Sequence, residues 1–573
     1  MTIETLKKEL ERWLNSDNVS PEMKADLTMN AVADNEEELK LRFAEPLSFG
    51  TAGLRGTMAA GIGKMNIYTV AQATKGLSDY ILSQGGGKVA IAYDTRINSE
   101  LFARISAEVL AHNGISSYIF DGPRPTPELS FALRENGCIA GINVTASHNP
   151  KEYNGYKVYW ADGAQIGGNE AKAISDYISS CDVLSVDKMS FEEAVEKGLV
   201  TVMGNEMDEK YINNVLGERV NPSAITEQSD MTVVYTPLHG AGYKIVPEVL
   251  RRAGIKNVIT VPEQGTPNGE FPTVRFPNPE FPEAFELGKK LAIKNGCDFI
   301  IATDPDADRM GVMINNGNDY LTLTGNQVGC LLLDYIITAY RENGGVPSDA
   351  YAVKSIVSTE LASLICKANG VKMHDVLTGF KYIGEVIKNH EAIGSGTFLL
   401  GFEESYGYLK GTYARDKDAV VAALLVTEMA AYYRGKGMTL KNAIDSLYER
   451  YGNFDEAGAS FYFEGSDGKE KMSAMMSKLR NDPPKTVAGE KVISVRDYLN
   501  GTITDLSSGK TEETGLPSSN VLYYTTENCV LVVRPSGTEP KIKLYFMAKG
   551  NTAEEVKARL TACKSDTENL IKA

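Results

Sequence analysis

Asp298-Phe299-Ile300-Ile301-Ala302-Thr303-Asp304-Pro305-Asp306-Ala307-Asp308-Arg309 runs from a short apolar segment straight into a cluster of charge. The apolar part is too short for a helix, and its bulky residues fit a buried strand. A helical pattern over residues 282–295 precedes it. The same rhythm recurs along the chain. Residues 88–93 read as a buried strand that ends at Asp94-Thr95-Arg96. Residues 231–235 end at Thr236-Pro237-Leu238-His239-Gly240, with a helix to about residue 252 and a strand at 258–261. A strand at 352–357, a helix at 360–368, a strand at 371–374 and another at 397–400 repeat the plan. Such alternation predicts three successive, similar α/β units with mixed or parallel sheets covered by helices. Each unit puts a polar motif just after a strand, where open α/β sheets bind ligands. Beyond Tyr451-Gly452-Asn453 the pattern changes to strand pairs at 520–525 and 529–533 and a closing helix from residue 553 to about 564. That predicts a smaller α+β domain, with residues 505–519 as an exposed loop.

Length and composition bound the function. A chain of 573 residues exceeds what one core organises, so about three to five domains are expected. Apolar residues make up 43% and charged residues 23%, as in ordinary globular proteins. The net charge of −16 argues against a nucleic-acid or anionic membrane surface. Seven scattered cysteines without a C-x-x-C pair predict reduced thiols in a cytoplasmic protein. Leu6, Leu10, Trp13 and Leu14 fall at helical spacing and predict an amphipathic helix packed on the body rather than a signal sequence. The apolar run at 419–426 is far too short to span a bilayer.

Six motifs carry chemistry. In Gly141-Ile142-Asn143-Val144-Thr145-Ala146-Ser147-His148-Asn149-Pro150, an apolar run delivers a serine into a tight loop beside a histidine, a setting suited to a covalent group. A polar turn after a strand is its plain alternative. Asp304, Asp306 and Asp308 alternate, so one extended loop can turn all three toward a hard cation such as Mg2+. An EF-hand would need glycine and glutamate where Arg309 and Asn315 stand. A haloacid-dehalogenase nucleophile would also begin D-x-D but has no need of Asp308 and Arg309, and a solvated acidic turn is the bland reading. Arg309 is placed to hold a phosphoryl group next to the cation.

Arg534-Pro535-Ser536-Gly537-Thr538, followed by Lys541 and Lys543, has the donors of an anion-binding nest, or of a hairpin turn. Glu403 and Ser405 in Gly401-Phe402-Glu403-Glu404-Ser405 offer a carboxylate and a hydroxyl that could grip a polyol. Arg415-Asp416-Lys417-Asp418 supplies a lysine able to exchange a proton if nearby cations lower its pKa; a charged helix start accounts for it equally well. Arg55, in the glycine-rich loop from Ser48 to Gly56, is free to reach a phosphate, although a surface loop is as good a reading. Gly85-Gly86-Gly87-Lys88 lacks the Ser/Thr of a P-loop and reads as a surface turn. His112, His374 and His390 have no partner pattern and read as structural or solvent-facing.

In register, these motifs resemble the α-D-phosphohexomutase superfamily, and most of all its phosphoglucomutase branch with the phosphopentomutase-like enzymes, from Phe49 to about Tyr545. The resemblance implies four domains around a central cleft, with expected bounds 1–207, 208–322, 323–452 and 453–573. It implies Ser147 as the phosphoserine, and Mg2+ held by Asp304, Asp306, Asp308 and the Ser147 phosphate. Glu403 and Ser405 match its sugar loop, reading FEES here with Phe402 in place of the usual glycine. Thr378, Gly379, Phe380 and Lys381 resemble the loop that helps choose the sugar, with Arg309 and Arg415 also expected at the substrate. Arg534, Ser536, Gly537, Thr538 and Lys543 match the distal phosphate loop. Arg55, His148, Lys157 and Lys417 fall where the family places residues assisting transfer. The implied activity interconverts glucose 1-phosphate and glucose 6-phosphate through a sugar 1,6-bisphosphate. Pentose or mannose phosphates are alternative substrates. A metal-dependent phosphatase and a non-catalytic sugar-phosphate sensor are the rival classes. The expected partners are sugar phosphates alone, with neither nucleic acid nor membrane, and the chain is expected to be a monomer or dimer.

Overall fold

A computed structural model describes residues 2–31, 35–463, 467–536 and 540–572. Its first large sheet runs, edge to edge, through Leu54–Thr57, Tyr153–Trp160, Ala140–Val144, Val89–Tyr93, Ser117–Phe120 and Val200–Met203. The last four are parallel, and the first two antiparallel to their neighbours. Every residue of Val89–Tyr93 and Ala140–Val144 is buried, which is why these strands read as unbroken apolar runs with no alternation. Arg55 proves to lie on an edge strand opposite Gly155, not in a loop. Strand Leu54–Thr57 is only four residues long and contains a glycine, so it leaves little apolar signal.

The second sheet orders Tyr320–Thr322, Met310–Asn315, Phe299–Thr303, Thr232–Thr236 and Asn257–Thr260. The third orders Lys372–Val376, Ala350–Ser355, Thr397–Glu403 and Gly407–Leu409. Both are parallel in the middle with antiparallel additions at an edge. With their helices, these three sheets are α/β domains, and a C-terminal α+β domain follows. Helix Ala419–Gly435 is buried on all sides over its first fourteen residues and packs on helices Gly242–Ala253 and Gly325–Glu342. A helix apolar all round belongs in a core, and no helix among the described residues is long and apolar enough to cross a membrane.

The fourth sheet has seven antiparallel strands: Asn453–Tyr462, Lys541–Gly550, Cys529–Pro535, Leu522–Thr525, Ser494–Asp497, Thr502–Asp505 and Thr511–Glu513. The last corrects the expected loop over 505–519. Thr511–Glu513 is exposed at all three positions, so backbone pairing alone makes it a strand and no side-chain pattern announces it. The closing helix extends over Ala553–Lys572. At the N-terminus three helices, Ile3–Asn15, Pro21–Asn30 and Glu36–Phe43, stand where one was expected. They share an apolar cluster in which Trp13 meets Phe43 and Tyr68 edge-on. All seven cysteines are unpaired.

Candidate active site

Ser147 follows the buried strand Ala140–Val144 and takes a left-handed backbone, φ 51°. For a non-glycine residue this conformation costs about 1–3 kcal/mol and persists only when its surroundings enforce it. The enforcing groups are visible. The Ser147 N–H donates to Thr145 Oγ1 at 2.8 Å, and the Thr145 hydroxyl donates to Asp94 Oδ2 at 2.6 Å. Beneath the loop, the buried Arg96 guanidinium donates to the carbonyls of Ser147, Asn149, Pro150 and Tyr153, and Asp94 faces it at 3.3 Å. The Ser147 hydroxyl thus has a fixed direction. It donates to Asp304 Oδ2 at 2.7 Å and lies 3.1 Å from His148 Nδ1.

Asp304 begins a tight turn, not the extended loop expected from the alternation. Ala307 takes φ 48°, its N–H donates to the Asp304 carbonyl, and Asp304 Oδ1 accepts the N–H groups of Asp308 and Arg309. This turn gathers all three carboxylates, with one oxygen from each within 4.8 Å of the others. All are fully or almost fully buried. Burial and the charges of Asp306 and Asp308 push the Asp304 carboxyl far above its ordinary pKa. Burial also works against Asp306, but Lys157 at 2.9 Å outweighs it and lowers its pKa. Oδ1 of Asp306 and Oδ1 of Asp308 are buried without a hydrogen-bond partner. Three crowded carboxylates with two idle oxygens fit a hard divalent cation and little else.

Two lysines complete the cluster. Lys157, on strand Tyr153–Trp160, contacts Asp306 at 2.9 Å and Asp308 at 3.8 Å. Lys417 contacts Asp308 at 3.1 Å and Asp416 at 2.8 Å. Burial disfavours the Lys417 ammonium, yet Asp308, Asp416 and Glu403 outweigh it and raise its pKa, the reverse of the lowering by cations that a proton-exchanging lysine was expected to need. Asp418, one residue on, caps helix Ala419–Gly435 through the Val420 and Val421 N–H groups. In this charged run Lys417 faces the carboxylates and Asp418 starts the helix. Arg309 lies 4.0 Å from Asp308, with its buried Nε unpartnered. Arg55 donates to Asn149 Oδ1 at 3.3 Å and is within electrostatic reach of Asp306 and Asp308. Desolvation, with Arg309 and Arg55 nearby, holds His148 well below its ordinary pKa, so the ring stays neutral.

The third domain contributes Glu403 at the end of strand Thr397–Glu403. Its Oε1 accepts the Gly379 N–H at 2.7 Å, and the Phe380 ring lies 5.5 Å from the Lys417 ammonium. Burial, then the charge of Glu404, pushes the Glu403 carboxyl up to about 7. Gly379 is thereby tied to the cluster, with Thr378 just before it and Lys381 in the first turn of helix Phe380–Ile393, and Ser405 lies in the turn before Gly407–Leu409. Arg415 points its polar atoms elsewhere: its guanidinium donates to the Thr412 and Ala414 carbonyls and to Glu391. In the fourth sheet Arg534 pairs directly opposite Lys543, and the Ser536 N–H donates to the Lys541 carbonyl. The charge of Arg534 reaches Tyr382, next to Lys381 in the first turn of helix Phe380–Ile393. Gly537 and Thr538 lie outside the described residues.

Sequence reasoning missed the groups that hold this site. Asp94 and Arg96 were visible as a charged pair after a buried strand, but nothing local says that they support the serine loop. Gly240 gives no local signal either. A Cβ there would sit 2.4 Å from Pro305 Cα, so only glycine lets the second domain's other loop close on the aspartate turn.

Known proteins match this chain over most of its length. Residues 46–183, 209–317 and 324–451 match the phosphoglucomutase/phosphomannomutase alpha/beta/alpha domains I, II and III, and 485–562 match the C-terminal domain of the same family. A phosphoglucomutase of Staphylococcus saprophyticus is 38% identical over 533 residues, covering 92% of this chain and 95% of its own. One from Staphylococcus aureus is 36% identical over 569 residues, covering 97% and 98%. Among solved structures, the phosphoglucomutase parafusin of Paramecium shares the fold at a TM-score of 0.67 and 17% identity, covering 93% of this chain and 95% of its own. A phosphoglucomutase/phosphomannomutase family protein of Burkholderia thailandensis does so at 0.66 and 17%, covering 92% and 97%.

Proposed function

The chain belongs to the phosphoglucomutase/phosphomannomutase family, and we propose that it interconverts glucose 1-phosphate and glucose 6-phosphate through a phosphorylated Ser147. The enzyme is an isomerase of the phosphosugar-mutase type. One observation carries the assignment of Ser147. Its hydroxyl meets Asp304, 157 residues away, at 2.7 Å, beside a carboxylate triad with the makings of a cation site.

The proposed cycle has two transfers. In the first, the bond from phosphorus to Ser147 Oγ breaks, a bond from phosphorus to the free sugar hydroxyl forms, and the proton that hydroxyl loses ends on the freed Ser147 Oγ. The resulting sugar 1,6-bisphosphate turns over in the cleft. In the second, its other phosphate returns to Ser147 Oγ, and the sugar oxygen it leaves recovers a proton. Lys157, Lys417, Arg309 and Arg55 hold charge developing on the phosphoryl oxygens, where positioning and electrostatics provide most of the rate. His148, neutral and 3.1 Å from Ser147 Oγ, can relay the serine proton. Glu403 and Ser405 grip the sugar hydroxyls in both orientations, Lys381 and Thr378 border that grip, and Arg534, Ser536 and Lys543 hold the phosphate that is not reacting. Asp304, Asp306 and Asp308 would hold Mg2+, which supplies electrostatic neutralisation of the phosphoryl group when bound. Seven unpaired cysteines suit a reducing cytoplasm.

The test is a coupled assay on glucose, mannose and ribose 1-phosphates, each primed with its bisphosphate, with inorganic phosphate measured in parallel. Isomerisation without phosphate release supports a mutase, and dominant phosphate release would favour the phosphatase reading. Chelation with EDTA should abolish turnover, and added Mg2+ should restore it.

A further inference from the structure

Resting on the metal-site reading above, we infer that Thr126, outside the substrate cleft motifs, is a positioning residue that fixes the orientation of the Asp306 carboxylate by anchoring one of its oxygens, so that the other is left free for the cation. Thr126 opens helix Thr126–Glu135 of the first domain and is fully buried, as is Asp306 of the second. The two residues meet twice. The Thr126 N–H donates to the Asp306 carbonyl at 2.8 Å, and the Thr126 hydroxyl contacts Asp306 Oδ2 at 3.0 Å.

The direction of the side-chain bond follows from chemistry. An ionised carboxylate has no proton to give, so the hydroxyl must donate to Oδ2. Its lone pairs are then left for the remaining neighbour, the Asn143 amide at 2.6 Å, whose Nδ2 donates to Thr126 Oγ1. Asn143 sits directly across from Lys157 in the antiparallel pairing of Ala140–Val144 with Tyr153–Trp160, so both side chains leave the same face. Lys157 donates to that same Asp306 Oδ2 at 2.9 Å. Oδ2 therefore takes two donors from the first domain, while Oδ1 takes none although buried. The carboxylate cannot tilt out of this orientation without straining both bonds. Thr126, held by Asn143, thus leaves the unanchored oxygen as the one that would face a cation.

Outer partners of this kind typically tune metal affinity by 10–100-fold. The experiment titrates the purified full chain with Mn2+ as the probe, read by electron paramagnetic resonance. Thr126→Val, isosteric without the hydroxyl, should weaken Mn2+ binding by about 10–100-fold. Thr126→Ser and Thr126→Ala form a second pair that differs only in the hydroxyl. Serine should bind close to the unsubstituted chain, alanine as weakly as valine, and this ratio decides the matter even if valine fails to fold. Saturating Mg2+ should recover the lost turnover of the alanine variant with an unchanged KM for glucose 1-phosphate, which general loosening of the site would not give. Equal Mn2+ affinity in the serine and alanine variants would overturn this inference alone, provided Asp306→Asn still abolishes binding. Absence of Mn2+ binding in the unsubstituted chain would overturn the metal-site reading and this inference with it.

Discussion

Glu403 accepts the Gly379 N–H and sits beside Lys417 in a pocket that burial makes hostile to its charge, so it titrates near 7 and not near 4.5. A protonated carboxyl accepts sugar hydroxyls poorly. As pH falls through about 7, KM for glucose 1-phosphate should therefore rise, and Glu403→Gln should lose that inflection while keeping the one near 6 expected of the phosphate itself. A pH profile of KM from 5.5 to 8.5 checks both. Ser147→Ala should lose turnover and covalent phosphate, the latter read by intact mass, with little change in melting temperature. Full activity in that variant would sink the assignment. At this scale the sequence was informative because Ser147 and the three aspartates sit in polar loops after apolar strands and Glu403 ends such a strand. The partners of these residues were not legible. Thr126 and Asn143 look like ordinary helix-start and strand residues until the fold brings Asp306 to them.

Elements position those residues, and the loop on Arg96 is the clearest case. Val89–Tyr93 and Ala140–Val144 are adjacent parallel strands, so their following loops emerge side by side and Arg96 can reach four carbonyls of the serine loop. Arg96→Ala leaves Asp94 buried without its cation and should cost about 3–5 kcal/mol of stability, measurable by urea unfolding. Arg96→Lys keeps the charge but not the planar fork; it should fold and lose about 10²-fold in kcat through a displaced Ser147. Long apolar strands were readable because burial on both faces leaves an unbroken pattern. Leu54–Thr57 and Thr511–Glu513 were not, since short edge strands are held by backbone pairing whatever their side chains.

The whole molecule turns on how the C-terminal domain seats against the third. Ile356, Val357 and Leu377 pack on Tyr523, Val532 and Tyr545 across that junction. Glu456, on strand Asn453–Tyr462, lies next to Thr359 and Asn326 of the third domain, and burial pushes its carboxyl up to about 7. An acid whose folded pKa is raised stabilises the fold while protonated, and that contribution fades as pH climbs from its ordinary value through about 7. Glu456→Gln should melt with the unsubstituted protein near pH 5 and above it at pH 8, as calorimetry would show; the same difference at both pH values would refute this role. The sequence by itself determined the α/β repeat and picked out the serine, the aspartates and the Glu403 segment as polar motifs at strand ends, because apolar runs and polar loop chemistry are local properties. Only the tertiary structure decided that Ser147 faces Asp304, that Lys417 is held charged by carboxylates, and that Asp306 is gripped from another domain. The Ser147–Asp304, Lys417–Asp308 and Thr126–Asp306 contacts each join segments more than a hundred residues apart, and no local pattern encodes them.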